Sequence, residues 1–147
     1  PRTDRPRSMI ILDTNVLSEI LRPQPEPVVL AWMGSKARSS LFTTSVTRAE
    51  ILSGLRLLPE GERRRGLWAA ALSIFDVDFS GQTLTFDNDA ADAFAAIAAS
   101  RRTIGRPMSQ FDAMIAAMAR SRGASLATRN VRDFDECGIA LVNPWDA

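Results

Sequence analysis

Histidine and tyrosine are absent from this chain, and cysteine and lysine occur once each, as Cys137 and Lys36. Without histidine, Ser-His-Asp catalysis, Cys-His catalysis and His-ligated zinc sites are excluded. A single thiol excludes an internal disulfide and fits a reducing compartment, so we interpret Cys137 as a small hydrophobic residue without a catalytic role. Carboxylates are therefore the abundant class of catalytic side chain that remains.

Long apolar runs are also absent. No stretch approaches the roughly 18 residues that a membrane span requires. The apolar run 9–12 is too short for the hydrophobic core of a signal peptide. We therefore expect a soluble, cytoplasmic protein that does not enter a membrane.

Chain length and charge further restrict the class of protein. At 147 residues the chain fits one domain that is large enough to bury a real core. Its net charge is +1, but all 18 basic residues except Lys36 are arginine. Arginine is the better bidentate partner for phosphate and carboxylate, so the excess of arginine mildly favours an anionic ligand or an acidic partner. A GC-rich genome produces the same bias.

Residues 1–8 contain two prolines and three arginines and are interpreted as a flexible leader, native or left over from cloning, so that residues 9–147 form the domain.

Short apolar runs alternate with amphipathic stretches from Met9 onwards, which predicts alternating strands and helices. Such alternation favours an α/β fold with an open, parallel central sheet and helices on both faces. The predicted strands are 9–12, 41–43, 75–77, 125–127 and 140–142. The predicted helices begin near Thr14, Val28, Thr47, Glu60, Asp87 and Ser109, and they end near Pro23, Met33, Pro59, Ser73, Arg102 and Arg122.

Four acidic residues lie beside predicted strand ends or helix starts. Asp13 directly follows the first strand, and Asp133 follows the strand at Leu126. Glu50 and Asp112 fall in the first turns of predicted helices. Parallel strands place their carboxyl ends at one edge of a sheet, so these residues should converge on one crevice. Carboxylates that share a cleft repel each other unless a cation lies between them, and oxygen ligands favour Mg²⁺ or Mn²⁺ over zinc.

Helix capping is an alternative explanation for Asp13, Glu50 and Asp112, each taken singly. Asp13 can cap the helix that begins at Thr14, the segment Thr47–Glu50 matches a capping box, and Ser109–Asp112 is a weaker version of it. Capping and metal binding are compatible, because a helix N-terminus keeps a nearby carboxylate ionised. Asp133 alone is an ordinary loop acid.

Four motifs follow one another along the chain: Asp13-Thr14-Asn15-Val16-Leu17, Ala49-Glu50-Ile51 with Gly54, Asp112-Ala113-Met114-Ile115-Ala116, and Leu126-Ala127-Thr128-Arg129-Asn130 with Asp133-Phe134. Their order and spacing resemble those of PIN-domain nucleases, and more narrowly the VapC-type and FitB-like toxins of bacterial toxin-antitoxin pairs. The resemblance extends from Met9 to the C-terminus. The resemblance implies a three-layer α/β/α sandwich with Mg²⁺- or Mn²⁺-dependent cleavage of RNA. It also implies a cognate VapB-type antitoxin and a homodimer.

By this resemblance, Asp13, Glu50 and Asp112 are the core acids that hold the metal, with Asp13 and Asp112 favoured as direct ligands. Many PIN domains have an aspartate where this chain has Asn130, so either Asp133 or Asn130 is the fourth metal-binding residue. The residues that match the polar lining of the pocket are Thr14, Asn15, Thr128 and Asn130.

Arginines near the acidic motifs are candidates to bind substrate phosphates. Arg48, Arg129 and Arg132 are the nearest in sequence, whereas Arg63–Arg65 and Arg101–Arg102 fall on predicted outer helices. For each one, a solvated surface position is the simpler interpretation. The scarcity of aromatic residues near the motifs argues against an extensive platform for stacking bases.

Two other functional classes remain open. A haloacid-dehalogenase-like phosphatase also uses Mg²⁺ and a strand-end aspartate, but it requires a second aspartate where this chain has Asn15. A non-catalytic PIN-like module that binds RNA or protein would keep the fold and lose the acids, and this chain retains Asp13, Glu50 and Asp112.

Overall fold

Five parallel strands form the centre of the molecule in the computed structural model, which describes residues 8–147. The strands are β1 (Ile10–Leu12), β2 (Leu41–Thr44), β3 (Thr83–Leu84), β4 (Ser125–Ala127) and β5 (Leu141–Val142). Their order across the sheet is β3-β2-β1-β4-β5, and every neighbouring pair is parallel. Six helices connect them: α1 (Thr14–Ile20), α2 (Pro27–Gly34), α3 (Ser45–Arg56), α4 (Glu62–Ser73), α5 (Asn88–Thr103) and α6 (Gln110–Ser121).

Successive residues of β1 point to opposite faces of the sheet and belong to different cores. Ile11 packs with Ile97 of α5 and Met118 of α6, whereas Leu12 packs with Leu17 of α1 and with Trp32 of α2. Both strand residues are completely buried, and each such side chain stabilises the fold by about 1.5–3 kcal/mol relative to exposure. The predicted sandwich, with helices on both faces of a parallel sheet, is confirmed.

The sheet reverses its direction of growth between β1 and β4. The chain adds β2 and β3 on one side of β1, then returns to place β4 and β5 on the other. Ligands of open α/β sheets bind outside the carboxyl ends of the strands at this kind of switch point. Asp13 follows β1 there, and its backbone N–H donates 2.9 Å to the carbonyl of Ala127 at the end of β4.

The strand predicted at 75–77 is wrong. Helix α4 continues instead into a π-helical turn, Ile74–Asp78, in which Phe75 is buried and Val77 is 67% exposed. Phe75 and Phe79, four positions apart, pack into the same core, which is helical spacing rather than the alternation of a strand. The third strand is β3, whose two residues pair with Thr43 and Thr44 and are too few to show a periodic pattern.

The predicted start of α3 is also wrong. The helix begins at Ser45, with Thr44 as its cap, because the Thr44 hydroxyl accepts the backbone N–H of Thr47 at 3.0 Å. Glu50 therefore lies in the second turn, and Thr47–Glu50 is not a capping box. The other two predicted caps are confirmed, since Asp13 accepts the N–H of Thr14 and Ser109 accepts the N–H of Asp112.

The predicted leader 1–8 lies outside the described residues except for Ser8, which is exposed. None of the helices within residues 8–147 has the length and apolar character to cross a bilayer.

Candidate active site

Asp13 is a buried acid at the end of β1, with 5% of its surface exposed. Its Oδ1 accepts the backbone N–H of Thr14 at 2.8 Å, and its Oδ2 accepts the hydroxyl of Thr128 at 2.8 Å. Burial raises the pKa of Asp13 to about 6, and repulsion from Asp112 and Glu50 adds to this while the two hydrogen bonds oppose it. The carboxylate is therefore fixed in direction and would gain stability from a nearby cation.

Glu50 is half-buried and reaches the same region from α3. Its Oε1 accepts the hydroxyl of Thr14 at 2.7 Å. Since that bond uses the only hydroxyl proton of Thr14, Thr47 is the donor in the 3.0 Å contact between the two threonine hydroxyls. Two threonines thus hold Glu50 beside α1.

Asp112, in the first turn of α6, is the third acid. Burial raises its pKa, and repulsion from Asp133 contributes, whereas Ser109 and the positive charge of Arg101 act in the opposite direction. Asp112 lies on the helix that precedes β4 and Asp13 directly follows β1, and their mutual repulsion contributes to the raised pKa of Asp13. The topology therefore brings together two acids that are 99 positions apart (112 minus 13).

Thr128 organises the polar side of the site. Its buried hydroxyl donates to Asp13 and accepts the side-chain N–H of Asn15 at 3.3 Å and the backbone N–H of Asn130 at 3.1 Å. The predicted polar residues Thr14, Asn15 and Thr128 are therefore connected to the acid at β1. Because Thr128 directly follows β4, this network orients Asp13 from the strand next to β1.

An open cavity of about 470 Å³ lies over these groups. It contains three of the four predicted acids and the predicted Asn130, but Asp133 does not line it. The lining residues are Asp13, Thr14, Asn15, Ser18, Glu19, Arg22, Glu50, Asp112, Arg129, Asn130 and Trp145.

Asp133 lies beside the cavity rather than in its wall. It belongs to the 3₁₀ turn Val131–Phe134, and its charge raises the pKa of Asp112. Its backbone carbonyl accepts a 3.0 Å hydrogen bond from the buried Arg101. Asn130, in contrast, lines the cavity together with Asp13 and Asp112.

The donor chemistry suits a hard divalent cation. Asp13, Glu50 and Asp112 present oxygen atoms to one cavity, which are the ligands that Mg²⁺ and Mn²⁺ prefer. Within residues 8–147, no three acidic or thiol side chains are close enough to hold an ion as they stand. The Glu50 carboxylate is hydrogen-bonded to Thr14, so the three acids line the same cavity but their oxygen atoms do not meet around a single ion position.

Four lining residues, Ser18, Glu19, Arg22 and Trp145, were not predicted from the sequence. Glu19 is a buried acid whose carboxylate accepts the backbone N–H of Glu26 at 2.8 Å. One guanidinium nitrogen of Arg22 donates to both carboxylate oxygens of Glu19, each at 3.2 Å. These interactions lower the pKa of Glu19. An acid within the apolar helix α1 was the available signal for Glu19 and, through it, for Arg22. Trp145, near the C-terminus, left no comparable signal.

The arginines near the motifs differ in their surroundings. Arg48 forms a 2.7 Å ion pair with Asp76, and Arg132 does not line the cavity. Arg129 does line it, with its guanidinium 5.1 Å from the centre of the Trp145 ring. Only Arg129 among the three predicted phosphate-binding candidates therefore faces the acids.

Residues 10–139 match the sequence pattern of the PIN-domain family. The chain belongs to the PIN-domain family. This PIN domain is 35% identical over 138 residues to the VapC ribonuclease Y4jK of Sinorhizobium fredii, covering 94% of this chain and 99% of that protein. It is 36% identical over 137 residues to the toxin FitB of Neisseria gonorrhoeae, covering 93% of this chain and 99% of that protein.

A solved structure gives the same result for the fold of this PIN domain. The structure of FitAB bound to an IR36 DNA fragment superposes with a TM-score of 0.86 at 36% identity, and the match covers 93% of this chain and 96% of that one. The resemblance to VapC and FitB toxins that the motifs indicated is confirmed, and so is the three-layer fold.

Proposed function

We propose that this protein is the toxin of a type II toxin-antitoxin pair and a Mg²⁺- or Mn²⁺-dependent endoribonuclease. One observation carries the proposal: Asp13, Glu50 and Asp112, from three separate elements, line one cavity at the β1–β4 switch point. Its similarity to a protein named as a VapC ribonuclease and to the toxin FitB supports the substrate and the biological class.

Asp13 and Asp112 are the proposed direct ligands of the metal, with Glu50 beside them. A divalent ion in this cavity would lower the pKa of water and neutralise negative charge on the phosphate. Thr14 N–H and the Thr128 hydroxyl hold one oxygen each of Asp13, so the direction of this ligand is set before substrate binds.

Glu50 is the proposed group that orients the attacking water. Its Oε1 is held by Thr14, and its Oε2 has no hydrogen-bond partner among residues 8–147 and can accept a proton of water. No histidine is available for this task. Attack by the water oxygen at phosphorus breaks the bond to the 3′ oxygen, which leaves a 5′-phosphate and a 3′-hydroxyl.

Asn130 and Asp133 have different proposed roles at the fourth position. Asn130 lines the cavity and can act as a neutral oxygen ligand. Asp133 is outside the lining but adds negative charge next to Asp112, which favours cation binding at that acid. We therefore place Asp133 behind Asp112, as a supporting charge.

A cognate antitoxin of the VapB type is the proposed protein partner, and a homodimer is the proposed assembly of the toxin. The solved structure of FitAB, to which this chain is 36% identical, supports the first of these. An antitoxin that covers the acidic cavity would block the catalytic groups directly.

Cleavage of a structured RNA by the purified chain tests the enzymatic proposal. Cleavage should require Mn²⁺ or Mg²⁺, stop with EDTA, and be abolished by Asp13→Asn and by Asp112→Asn. Asp92→Asn is the matched control, because Asp92 is exposed on α5 and does not line the cavity. Cleavage that persists in EDTA or in Asp112→Asn would refute the proposal, and hydrolysis of a phosphomonoester without RNA cleavage would favour the phosphatase class instead.

A further inference from the structure

We propose that Arg129 and Trp145 form a subsite for a backbone phosphate of the RNA next to the one that is cleaved. The proposal rests on the proposed function and names the part of the cavity that binds substrate without touching the reacting bond. Both residues line the same cavity as Asp13, Glu50 and Asp112. They add a second cation, besides Arg22, and an aromatic ring to a wall that is otherwise acidic or polar.

Arg129 is the cavity cation that forms no ion pair with a described residue, and its charge acts on Glu19 only at longer range, where it helps to lower the pKa of that acid. The other one, Arg22, contacts both carboxylate oxygens of Glu19 at 3.2 Å. Within residues 8–147, no carboxylate lies within salt-bridge distance of the Arg129 guanidinium. A guanidinium binds phosphate through paired N–H donors, and those of Arg129 are available for it.

Trp145 holds this guanidinium in place. The Arg129 guanidinium lies 5.1 Å from the ring centre, a distance at which a cation is attracted to the face of an indole. The indole N–H is buried and has no acceptor among the described residues, so the ring contributes through its face. Such a contact limits the conformations of the arginine but leaves its in-plane N–H groups free.

The backbone around the pair is anchored to the catalytic network. The N–H of Arg129 donates to Asn15 Oδ1 at 3.3 Å, and its carbonyl accepts Asn143 Nδ2 at 3.4 Å. Asn143 Oδ1 in turn accepts the N–H of Trp145 at 2.9 Å. Because Asn15 also contacts Thr128, which binds Asp13, hydrogen bonds connect the cation to the proposed metal ligand. A phosphate on Arg129 would thus be positioned relative to Asp13.

An RNA-binding measurement tests the subsite. The probe is a fluorescein-labelled single-stranded RNA of about 20 nucleotides, and the parent is the full chain carrying Asp112→Asn, so that the probe survives in Mg²⁺. Added to this parent, Arg129→Ala should weaken binding about three- to tenfold and reduce the slope of log affinity against log salt by about 0.7, the value for one phosphate contact of a single strand. Trp145→Leu should weaken binding in the same direction, whereas Trp145→Phe and Arg129→Lys should restore most of it.

Arg132→Ala is the matched control, since Arg132 is exposed three positions away and does not line the cavity. It should bind like the parent. Equal binding and an equal salt slope for Arg129→Ala and the parent would overturn the subsite, as would an equal loss in Arg132→Ala. If the parent itself binds no RNA, the proposed function fails and the subsite with it.

Catalysis gives a second readout in the chain without Asp112→Asn. Arg129→Ala should raise KM more than it lowers kcat, because it removes binding energy rather than a reacting group. Should Arg129→Ala fold poorly, Arg129→Gln removes the charge and keeps a hydrogen-bonding side chain. A fall in kcat at unchanged KM in either variant would contradict the proposed role.

Discussion

The hydroxyl of Thr14 donates a 2.7 Å hydrogen bond to Oε1 of Glu50, 36 positions later in the chain. The first residue of α1 therefore holds a carboxylate of α3 at the edge of the cavity. The same threonine accepts the hydroxyl of Thr47. Two helices that follow adjacent strands are thus joined by polar side chains next to the candidate catalytic acids.

Thr14→Val should lower metal-dependent RNA cleavage by about 10- to 100-fold, the usual effect of losing a group that orients a carboxylate beside a metal. Valine has a similar shape but cannot donate to Glu50. Thr14→Ser retains the hydroxyl and should keep most of the activity. Initial rates at saturating Mn²⁺ would measure this, and equal rates for the valine and serine variants would contradict a role for the hydroxyl.

Asp13→Asn should stabilise the metal-free protein at neutral pH. Burial raises the pKa of Asp13 from 3.8 to about 6, so the folded state binds the proton more tightly than the unfolded chain. The resulting stabilisation is complete below about pH 3.8 and is lost as the pH rises through about 6. A difference of about two units corresponds to about 3 kcal/mol. In EDTA at pH 7.5, Asp13→Asn should therefore be more stable than the parent, by less than that amount because the amide keeps only one of the two acceptor oxygens.

Urea unfolding at two pH values would measure the effect of Asp13→Asn. The gain should disappear near pH 4, where the parent carboxyl is protonated, and Mn²⁺ should stabilise the parent but not the variant. The exposed Asp92→Asn should change the free energy of unfolding by less than about 0.5 kcal/mol at either pH. A variant that is less stable than the parent in EDTA at pH 7.5 would show that the charge of Asp13 is not destabilising.

Asn130→Asp should tighten Mn²⁺ binding, because it adds a fifth carboxylate to the wall of the cavity, where Asp13, Glu19, Glu50 and Asp112 already lie. Asp133→Asn removes a charge behind Asp112 and should weaken Mn²⁺ binding less than Asp112→Asn does. Calorimetric titration with Mn²⁺ would rank the three variants. A complete loss of binding in Asp133→Asn would make Asp133 a direct ligand and reverse the roles assigned to the two residues.

Arg101→Met should destabilise the fold by about 2–4 kcal/mol, because the buried guanidinium donates 2.6–3.0 Å hydrogen bonds to three backbone carbonyls. These belong to Arg106, Asp133 and Asp135. Thermal unfolding would measure the loss, and amide exchange should quicken in residues 131–137. Arg102→Met is the control, because Arg102 is the next residue and is exposed. This substitution should change the free energy of unfolding by less than about 0.5 kcal/mol. Equal melting temperatures for the two variants would contradict this role of Arg101.

The central strands β1, β2 and β4 were predictable because they are mostly buried and contain short groups of apolar residues. The strand β3 was not, since two half-buried residues at the edge carry no periodic signal. The start of α3 was misplaced for a related reason. Thr44 and Thr47 are both good caps, and only the position of the strand before them decides which one begins the helix.

Three of the acids of the candidate site were predictable from topology alone. Asp13, Glu50 and Asp112 each follow a strand or begin near a helix start, and the switch-point rule then places them together. The role of Asp133 depended on the fold of its loop. The 3₁₀ turn that starts after Asn130 directs Asn130 into the cavity wall and leaves Asp133 behind Asp112.

The amino-acid sequence by itself determined the class of fold, the presence of carboxylates and absence of histidine as catalytic candidates, and the family. Local patterns suffice for these, because periodicity, capping and motif order involve residues that are near each other in the chain. The tertiary structure alone decided which arginine faces the acids and that Trp145 holds it. Such contacts join residues far apart in sequence, as Thr128 joins Asp13 across 115 positions, and only the packing of β4 beside β1 brings them within hydrogen-bond distance.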